Sequence, residues 1–372
     1  RTKMTSPKVF FYPHSKFRER QLDTVRRWPR DMAVNPSIAD QTLATNVPAD
    51  QAKKGDISPS WKQRIPLANI KARPGGLPND VAVYVWGGVV GTGPFIVDLD
   101  NPFSLVGYNL RAMPIWKQVL RYILLSDRCL EIRCMSEACR NTLRELFGLA
   151  VFEKATVHYP HAELQRSEIS RQPQSPPHFV FVGSQFEIKG GAVLLSAWKE
   201  ALPRLPEGAE LSVITHLPDL YRNLADSLSG VQIYQASYGR KQLWSVFFEK
   251  CDALILPTMV ESFGMVALEA MAHGMALVVT DVYALPELVD NNKNGRVVHA
   301  PISIWDGVMP SPLHYRLDQA AAIIRQMDFS AFATELADAI VDVGGNQEEL
   351  LEMRKSSLAL FQSRFINDGE QQ

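Results

Sequence analysis

Apolar residues along this chain gather in short blocks separated by polar, glycine-containing turns. The blocks at 8–12 (KVFFY), 81–86 (VAVYVW), 95–99 (FIVDL), 129–135, 155–160 (ATVHYP), 179–182, 210–215, 231–234, 253–256 (ALIL) and 277–280 are too short for independent helices. Several are apolar at every position, as strands covered on both faces must be. Between them lie segments with helical punctuation. Ser136 is a side-chain cap for 137–147, which stops at Gly148, and 192–202 ends before Pro203. Further helices are predicted at 242–248, 265–273, 317–327, 330–343 and 347–364. Regular βαβα alternation predicts an α/β protein with doubly wound parallel sheets, whose ligands bind beyond the carboxyl ends of the strands. A length of 372 residues suits two such domains.

The stretch 252–274 (DALILPTMVESFGMVALEAMAHG) has the most chemical content. Strand 253–256 is stopped by Pro257 and Thr258, and a loop at 260–265 delivers the chain to a helix that closes at Gly274. The first amides of that helix have no intrahelical acceptor, so its N-terminus attracts anions and phosphate in particular. Gly264 stands where backbone must come close to a neighbour. Glu261 precedes the helix and Glu269 lies eight positions on, on the order of 10 Å away at helical rise. Amides between two carboxylates suit a nucleotide sugar, with the diphosphate on the amides and one acid each for the ribose and the sugar. The same spacing also fits a surface βα turn with two solvated glutamates.

In the N-terminal half, His14 follows the first strand at the edge that lines the ligand crevice of an α/β sheet, and is a candidate acceptor-side group. Residues 29–80 have weak periodicity and read as loops with short helices. The glycines of 87–93 (GGVVGTG) do not follow GxGxxG and precede no helix, so a dinucleotide fingerprint is not supported. Asp98 and Asp100 form the Asp-x-Asp pattern that binds a divalent metal and diphosphate in GT-A glycosyltransferases. Asp100, Asn101 and Tyr108 are better placed as acceptor-binding groups, because they follow a strand end. Apolar residues at 115, 116, 119, 120, 123 and 124 form one helical stripe. Core is its usual meaning, and a membrane-surface helix is the alternative, with Trp116, Arg111 and Arg121 nearby.

Charge changes this picture at one end. Residues 1–75 hold 15 Lys/Arg against 6 Asp/Glu, whereas the whole chain carries a net charge of -1. The N-terminal part therefore suits acidic partners such as a phosphate-bearing acceptor or an anionic membrane surface. Nucleic acid is not expected, since no binding module accompanies the charge. Four cysteines without a CxxC pair read as reduced core thiols. No apolar run reaches the ~20 residues of a membrane span, and a cytoplasmic location, with peripheral contact at the inner membrane face, is the default expectation.

Three blocks, 182–198 (VGSQFEIKGGAVLLSAW), 252–274 and 278–298 (VVTDVYALPELVDNNKNGRVV), together resemble the C-terminal domain of family-4-type retaining glycosyltransferases. The resemblance implies a GT-B fold of two Rossmann-like domains facing a cleft. On that pattern residues 1–165 form an acceptor-binding domain, 166–177 a linker, 178–343 a donor-binding domain, and 344–372 a helix crossing back to the first domain. It further implies that Lys189, Glu261 and Glu269 bind a nucleoside diphosphate sugar, with Lys189 and Glu261 at the reacting centre. Gly183, Ser184, Phe263, Gly264 and Met265 would complete that donor site, and Tyr238 and Arg240 are candidates for base and phosphate. The reaction implied is sugar transfer to a hydroxyl of a glycan, glycolipid or small molecule, with retention and without metal or other cofactor. The chain departs from the family at two places: Ser184 stands where an Arg is usual, and Tyr283, Ala284 and Leu285 replace a glycine pair. Those departures keep open a nucleotide-sugar-binding protein without turnover, or a nonhydrolytic nucleotide-sugar epimerase.

Overall fold

The computed structural model describes residues 8–12, 19–35, 37, 65–169 and 176–366. Contacts divide the chain into two compact units, with the boundary between His161 and Ala162. His14 and most of the basic segment at 1–75 lie outside the described residues.

The first unit is built on five parallel strands, β1 (Val9–Tyr12), β2 (Ala82–Trp86), β3 (Phe95–Leu99), β4 (Cys129–Cys134) and β5 (Ala155–Val157), adjacent in that order. Helices α1 (Glu19–Arg27), α2 (Met113–Leu125), α3 (Glu137–Phe147) and α4 (Leu149–Lys154) accompany them. Phe11, Trp28, Tyr84 and Trp86 pack as an aromatic cluster, with the Phe11 and Tyr84 ring centres 5.3 Å apart. Ser136 caps α3 as its sequence predicts, its hydroxyl accepting from the Cys139 amide at 3.0 Å.

Helix α2 corrects one expectation. Leu120, Ile123 and Leu124 are buried, but Ile115, Val119 and Tyr122 face outward, with Tyr122 76% exposed. At 100° per residue the apolar positions cover about half of the helix circumference, and the core takes up only part of that arc.

The second unit contains β6 (His178–Gln185), β7 (Glu210–His216), β8 (Val231–Gln235), β9 (Ala253–Leu256), β10 (Ala276–Thr280) and β11 (Gly295–Val298). All are parallel, in the spatial order β8-β7-β6-β9-β10-β11. The order reverses between β6 and β9, so the loops after these neighbouring strands diverge and leave a crevice. Strands β9 and β10 are buried throughout, matching their uninterrupted apolar sequences. Helices α5 (Gly191–Ala201), α6 (Arg222–Ser227), α7 (Arg240–Leu243), α8 (Met265–Ala272), α9 (Ala320–Arg325), α10 (Ser330–Gly344) and α11 (Gln347–Arg364) complete the unit. The helix predicted at 242–248 is instead the single turn α7 followed by a π-helical turn at Trp244–Phe248, which widens the coil to place Trp244, Phe247 and Phe248 inward.

Helix α11 is counted with this second unit, packed on α8, α10 and β10. Its Arg354 is buried and meets Asp252 at 2.7 Å while its Nε donates to the Gly274 carbonyl at 3.0 Å. The second Asp252 oxygen accepts from the His178 amide at 2.9 Å. One ion pair therefore ties α11 to the starts of β6 and β9. Removing one member leaves a buried charge unpaired, at a cost of about 3–5 kcal/mol. Arg354→Met is expected to lower the thermal midpoint by about 10 °C. Arg296→Met, which breaks a half-exposed pair with Asp342, should cost less than about 1 kcal/mol. Equal midpoints for the two variants in a melting experiment would refute the anchoring role.

Candidate functional site

Two loops meet at the reversal point, Phe186–Gly190 after β6 and Pro257–Gly264 after β9. The first is shaped by its own backbone, the Gly191 amide donating to the Phe186 carbonyl at 2.8 Å and the Lys189 amide to Gln185 at 3.1 Å. Buried Glu187 accepts from Nε and Nη2 of Arg325, at 2.6 and 3.1 Å, and from the Tyr221 hydroxyl. Gly190 has φ +80°, and a Cβ there would lie 2.0 Å from the Pro257 carbonyl oxygen. Only glycine lets the two loops approach so closely.

The second loop is centred on Thr258. Its carbonyl accepts from the Thr280 hydroxyl at 2.6 Å, and its own hydroxyl accepts from the Val260 amide at 3.2 Å. The Met259 amide donates across to the Ile188 carbonyl at 3.0 Å. Gly264 caps α8 with φ +92°, and a Cβ there would strike Leu285 Cδ2 at 2.4 Å. The neighbour expected from the sequence is thus a side chain of the 283–285 loop.

These loops bring Lys189 and Glu261 together. Lys189 Nζ lies 2.9 Å from Glu261 Oε2 and donates to the Val260 carbonyl at 2.7 Å. The other Glu261 oxygen accepts from the Ser262 amide at 3.0 Å. Burial alone would raise this carboxyl, but Lys189 and the Ser262 and Phe263 amides outweigh it and hold it below its ordinary value. Just beyond, the amides of Gly264, Met265 and Val266 make no hydrogen bond to any described residue. They form the open N-terminus of α8.

Glu269 is buried in the second turn of α8, paired with Arg240 at 2.8 Å and accepting from Trp244 Nε1 at 3.2 Å. Arg240 also lies over the Trp244 ring at 4.8 Å. Its charge is therefore directed at Glu269, where the sequence suggested a phosphate. His273 Nδ1 bonds the Glu269 carbonyl at 2.7 Å, and burial pushes this imidazole down to about 4, so it is neutral. Tyr238 is partly exposed and meets Phe247 edge-on at 5.0 Å. Phe263 is fully buried, Gly183 is packed against Lys189, and Ser184 is exposed.

The first unit gathers its candidates separately. Tyr108 Oη donates to Asp100 Oδ2 at 2.8 Å, and Asp100 Oδ1 accepts from the Asn101 amide at 2.9 Å. Asn101 is buried, its side chain capping the 3-10 turn Pro102–Val106 through the Phe103 amide. Asp98 points into the aromatic cluster, paired with Arg20 at 3.0 Å and accepting from Tyr84 Oη at 2.6 Å. Among the described residues no group of three or more His, Cys, Asp or Glu side chains is arranged to hold a metal ion. All four cysteines are buried thiols.

Sequence reasoning missed Trp305, whose indole Nε1 donates to the Glu261 carbonyl at 2.7 Å. It also missed Trp244 beside Glu269 and the Glu187–Arg325 brace. None of these partners shares a local pattern with the residue it holds, the brace spanning 138 positions.

The family described as Glycosyl transferases group 1 matches residues 176–307. This segment is a glycosyl transferases group 1 domain. Among curated proteins, the D-inositol 3-phosphate glycosyltransferase of Corynebacterium aurimucosum is 28% identical over 50% of this chain and 48% of its own length. Its counterpart in Corynebacterium efficiens is 31% identical over 42% of this chain and 41% of its own. The chain thus spans about half the length, or less, of the curated relatives it matches. HepE of Anabaena, solved with UDP and glucose, aligns over 97% of this chain and 96% of its own with a TM-score of 0.57 at 14% identity. Sucrose-phosphate synthase of Thermosynechococcus elongatus aligns over 77% and 69% with a TM-score of 0.51 at 14% identity. The fold shared with these neighbours is GT-B, with two Rossmann-like domains.

The depressed carboxyl of Glu261 carries a sign. A group whose folded value is lowered adds stability above its unfolded value, and loses it as pH falls through the folded one. The midpoint advantage of the wild type over Glu261→Gln should therefore be full above about pH 5 and shrink on acidification. A pH series of melting curves with a constant difference would contradict the assigned ion pair.

Proposed function

We propose that the chain is a glycosyltransferase that moves a sugar from a nucleoside diphosphate sugar to a hydroxyl acceptor, with retention and without metal. The observation that carries this reading is Lys189 paired with Glu261 beside the open amides of α8, at the strand-order reversal of a glycosyl transferases group 1 domain. On this reading the diphosphate takes the place of Glu261 as the partner of Lys189. The carboxylate is then released to grip sugar hydroxyls. As the glycosidic bond breaks, negative charge grows on the leaving diphosphate, where the ammonium and the helix amides stabilise it without reorganising. Glu269, already fixed by Arg240 and Trp244, keeps lone pairs for ribose hydroxyls. Asp100 and Tyr108 are the proposed acceptor-side pair of the first unit.

Thermal shift against ADP, GDP, UDP and their glucose conjugates tests this, uridine nucleotides first because HepE was solved with UDP-glucose. A ligand at ~100 times its dissociation constant adds about 2.7 kcal/mol. Lys189→Ala and Glu269→Ala should each lower sugar transfer about 100-fold or more when assayed well below the apo midpoint of the variant, where it is folded. Activity should persist in EDTA. Unchanged transfer in both variants would overturn the site, and loss in EDTA with rescue by Mn²⁺ would overturn the metal-free mechanism. Product analysis without acceptor separates transfer from epimerisation.

We also propose that the outward stripe of α2 rests on an anionic bilayer surface. Ile115, Val119 and Tyr122 are exposed together, with the cations Arg111 and Arg121 on the same helix region. No helix among the described residues is long and apolar enough to cross a membrane. Ile115→Asp combined with Tyr122→Asp should reduce co-sedimentation with phosphatidylglycerol-containing vesicles about tenfold. Equal sedimentation of the wild type with purely zwitterionic vesicles would contradict an electrostatic contribution.

A further inference from the structure

The loop after β10, one of the two places where the chain departs from the family pattern, is joined in the structure to the segment after β11. Trp305 belongs to a small antiparallel hairpin, Trp305–Asp306 against Met309–Pro310. Its ring stacks on Tyr283 with centroids 4.1 Å apart and planes 17° from parallel. His314 meets the Trp305 ring edge-on at 4.9 Å, and burial pushes that imidazole down to about 4, so it brings no charge to the stack at neutral pH. Tyr283 is buried and has φ +52°, an uncommon backbone conformation for a residue with a bulky side chain. It stands where the family resemblance puts glycine. The hairpin grips the catalytic loop directly, Ile304 N donating to the Met259 carbonyl at 3.1 Å and Trp305 Nε1 to the Glu261 carbonyl at 2.7 Å.

The Glu261 carbonyl belongs to the same peptide as the Ser262 amide, and that amide holds the Glu261 carboxylate at 3.0 Å. Fixing the carbonyl therefore fixes the plane of the peptide, and with it the direction of the carboxylate. Lys189 holds the carboxylate from one side and Trp305 holds its backbone from another. A glycine pair at 283–284 would supply neither a ring for Trp305 to stack on nor a wall at this end of the site.

We infer that Trp305 and Tyr283 are positioning and specificity-determining residues, an aromatic clamp that aims Glu261 and bounds the space for the donor's sugar. This inference rests on the donor-site reading above. It deepens that reading by assigning sugar discrimination to the 283 loop and the 305 hairpin. The diphosphate grip, made by Lys189 and the α8 amides, is independent of the clamp. Nucleotide binding and sugar binding should then separate on mutation.

Isothermal titration of a nucleoside diphosphate and its glucose conjugate, using the pair to which the wild type responds, tests that separation. The quantity read is the affinity gain that the sugar adds to the diphosphate. Trp305→Phe keeps a stacking ring and loses the N–H donor, so the gain should fall about three- to tenfold. Trp305→Ala should abolish it, with donor KM and kcat both worsened. Tyr283→Gly suits the left-handed backbone and should change the preference between glucose and N-acetylglucosamine conjugates by about tenfold. In all three the diphosphate affinity should stay within about twofold of wild type. Should Trp305→Ala fail to fold by its apo melting curve, Trp305→Phe and Tyr283→Gly decide the matter. An unchanged sugar-dependent gain in Trp305→Phe and Tyr283→Gly would overturn the inference, as would an equal loss for diphosphate and conjugate. A wild type that binds none of the nucleotides would instead overturn the donor-site reading itself, and the clamp's role with it.

Discussion

The ion pair between Lys189 and Glu261 is the contact on which the site depends, because it joins two loops that leave neighbouring strands of the second sheet in different directions. Its strength comes from burial with compensation. A carboxylate removed from water favours protonation, yet an ammonium at 2.9 Å and amide donors keep it charged. Each loop is first made rigid by its own means. Glu187 and Arg325 hold one, while Thr258 and Thr280 hold the other, so little chain entropy remains to be lost when the charges meet.

Preorganisation of this kind has a functional meaning. The ammonium and the two carboxylates are held by hydrogen bonds and ion pairs within the protein, beside the open amides of α8. On the proposed reading, a diphosphate exchanges for one carboxylate on Lys189 while the backbone stays in place, which is what electrostatic stabilisation of a leaving group requires. Close approach makes the arrangement possible. At Gly190 and Gly264 even one methyl group would meet a carbonyl or a leucine side chain at well under contact distance.

The first unit applies the same physics to a different end. Asp98 could be read from the sequence as half of a metal-binding pair, but the fold turns it into the aromatic layer, where Arg20 matches its charge and Tyr84 bonds its second oxygen. Asn101 is likewise taken up by its own turn, as a cap. Asp100 and Tyr108, bonded to one another, remain as the polar pair nearer the surface. Asp98 and Asp100, two positions apart, come to different roles because the strand ends at Leu99 and its alternation no longer directs the side chains that follow.

Local patterns determined a good deal by themselves. Uninterrupted apolar blocks such as 253–256 and 277–280 fixed buried parallel strands, since only burial on both faces tolerates them. Ser136 and Gly274 marked helix ends through capping chemistry that acts over a few residues. The placing of Lys189 and Glu261 on βα loops, and of Glu269 within the helix that follows, was legible from where the apolar strand blocks stop. Tertiary structure alone decided what each of them touches. Arg240 was directed to Glu269, the α2 stripe was divided between core and solvent, and Trp305 was brought to Glu261 from 44 positions away. Periodicity and capping are set by neighbours along the chain, whereas these partners are chosen by sheet order and packing, which no local pattern encodes.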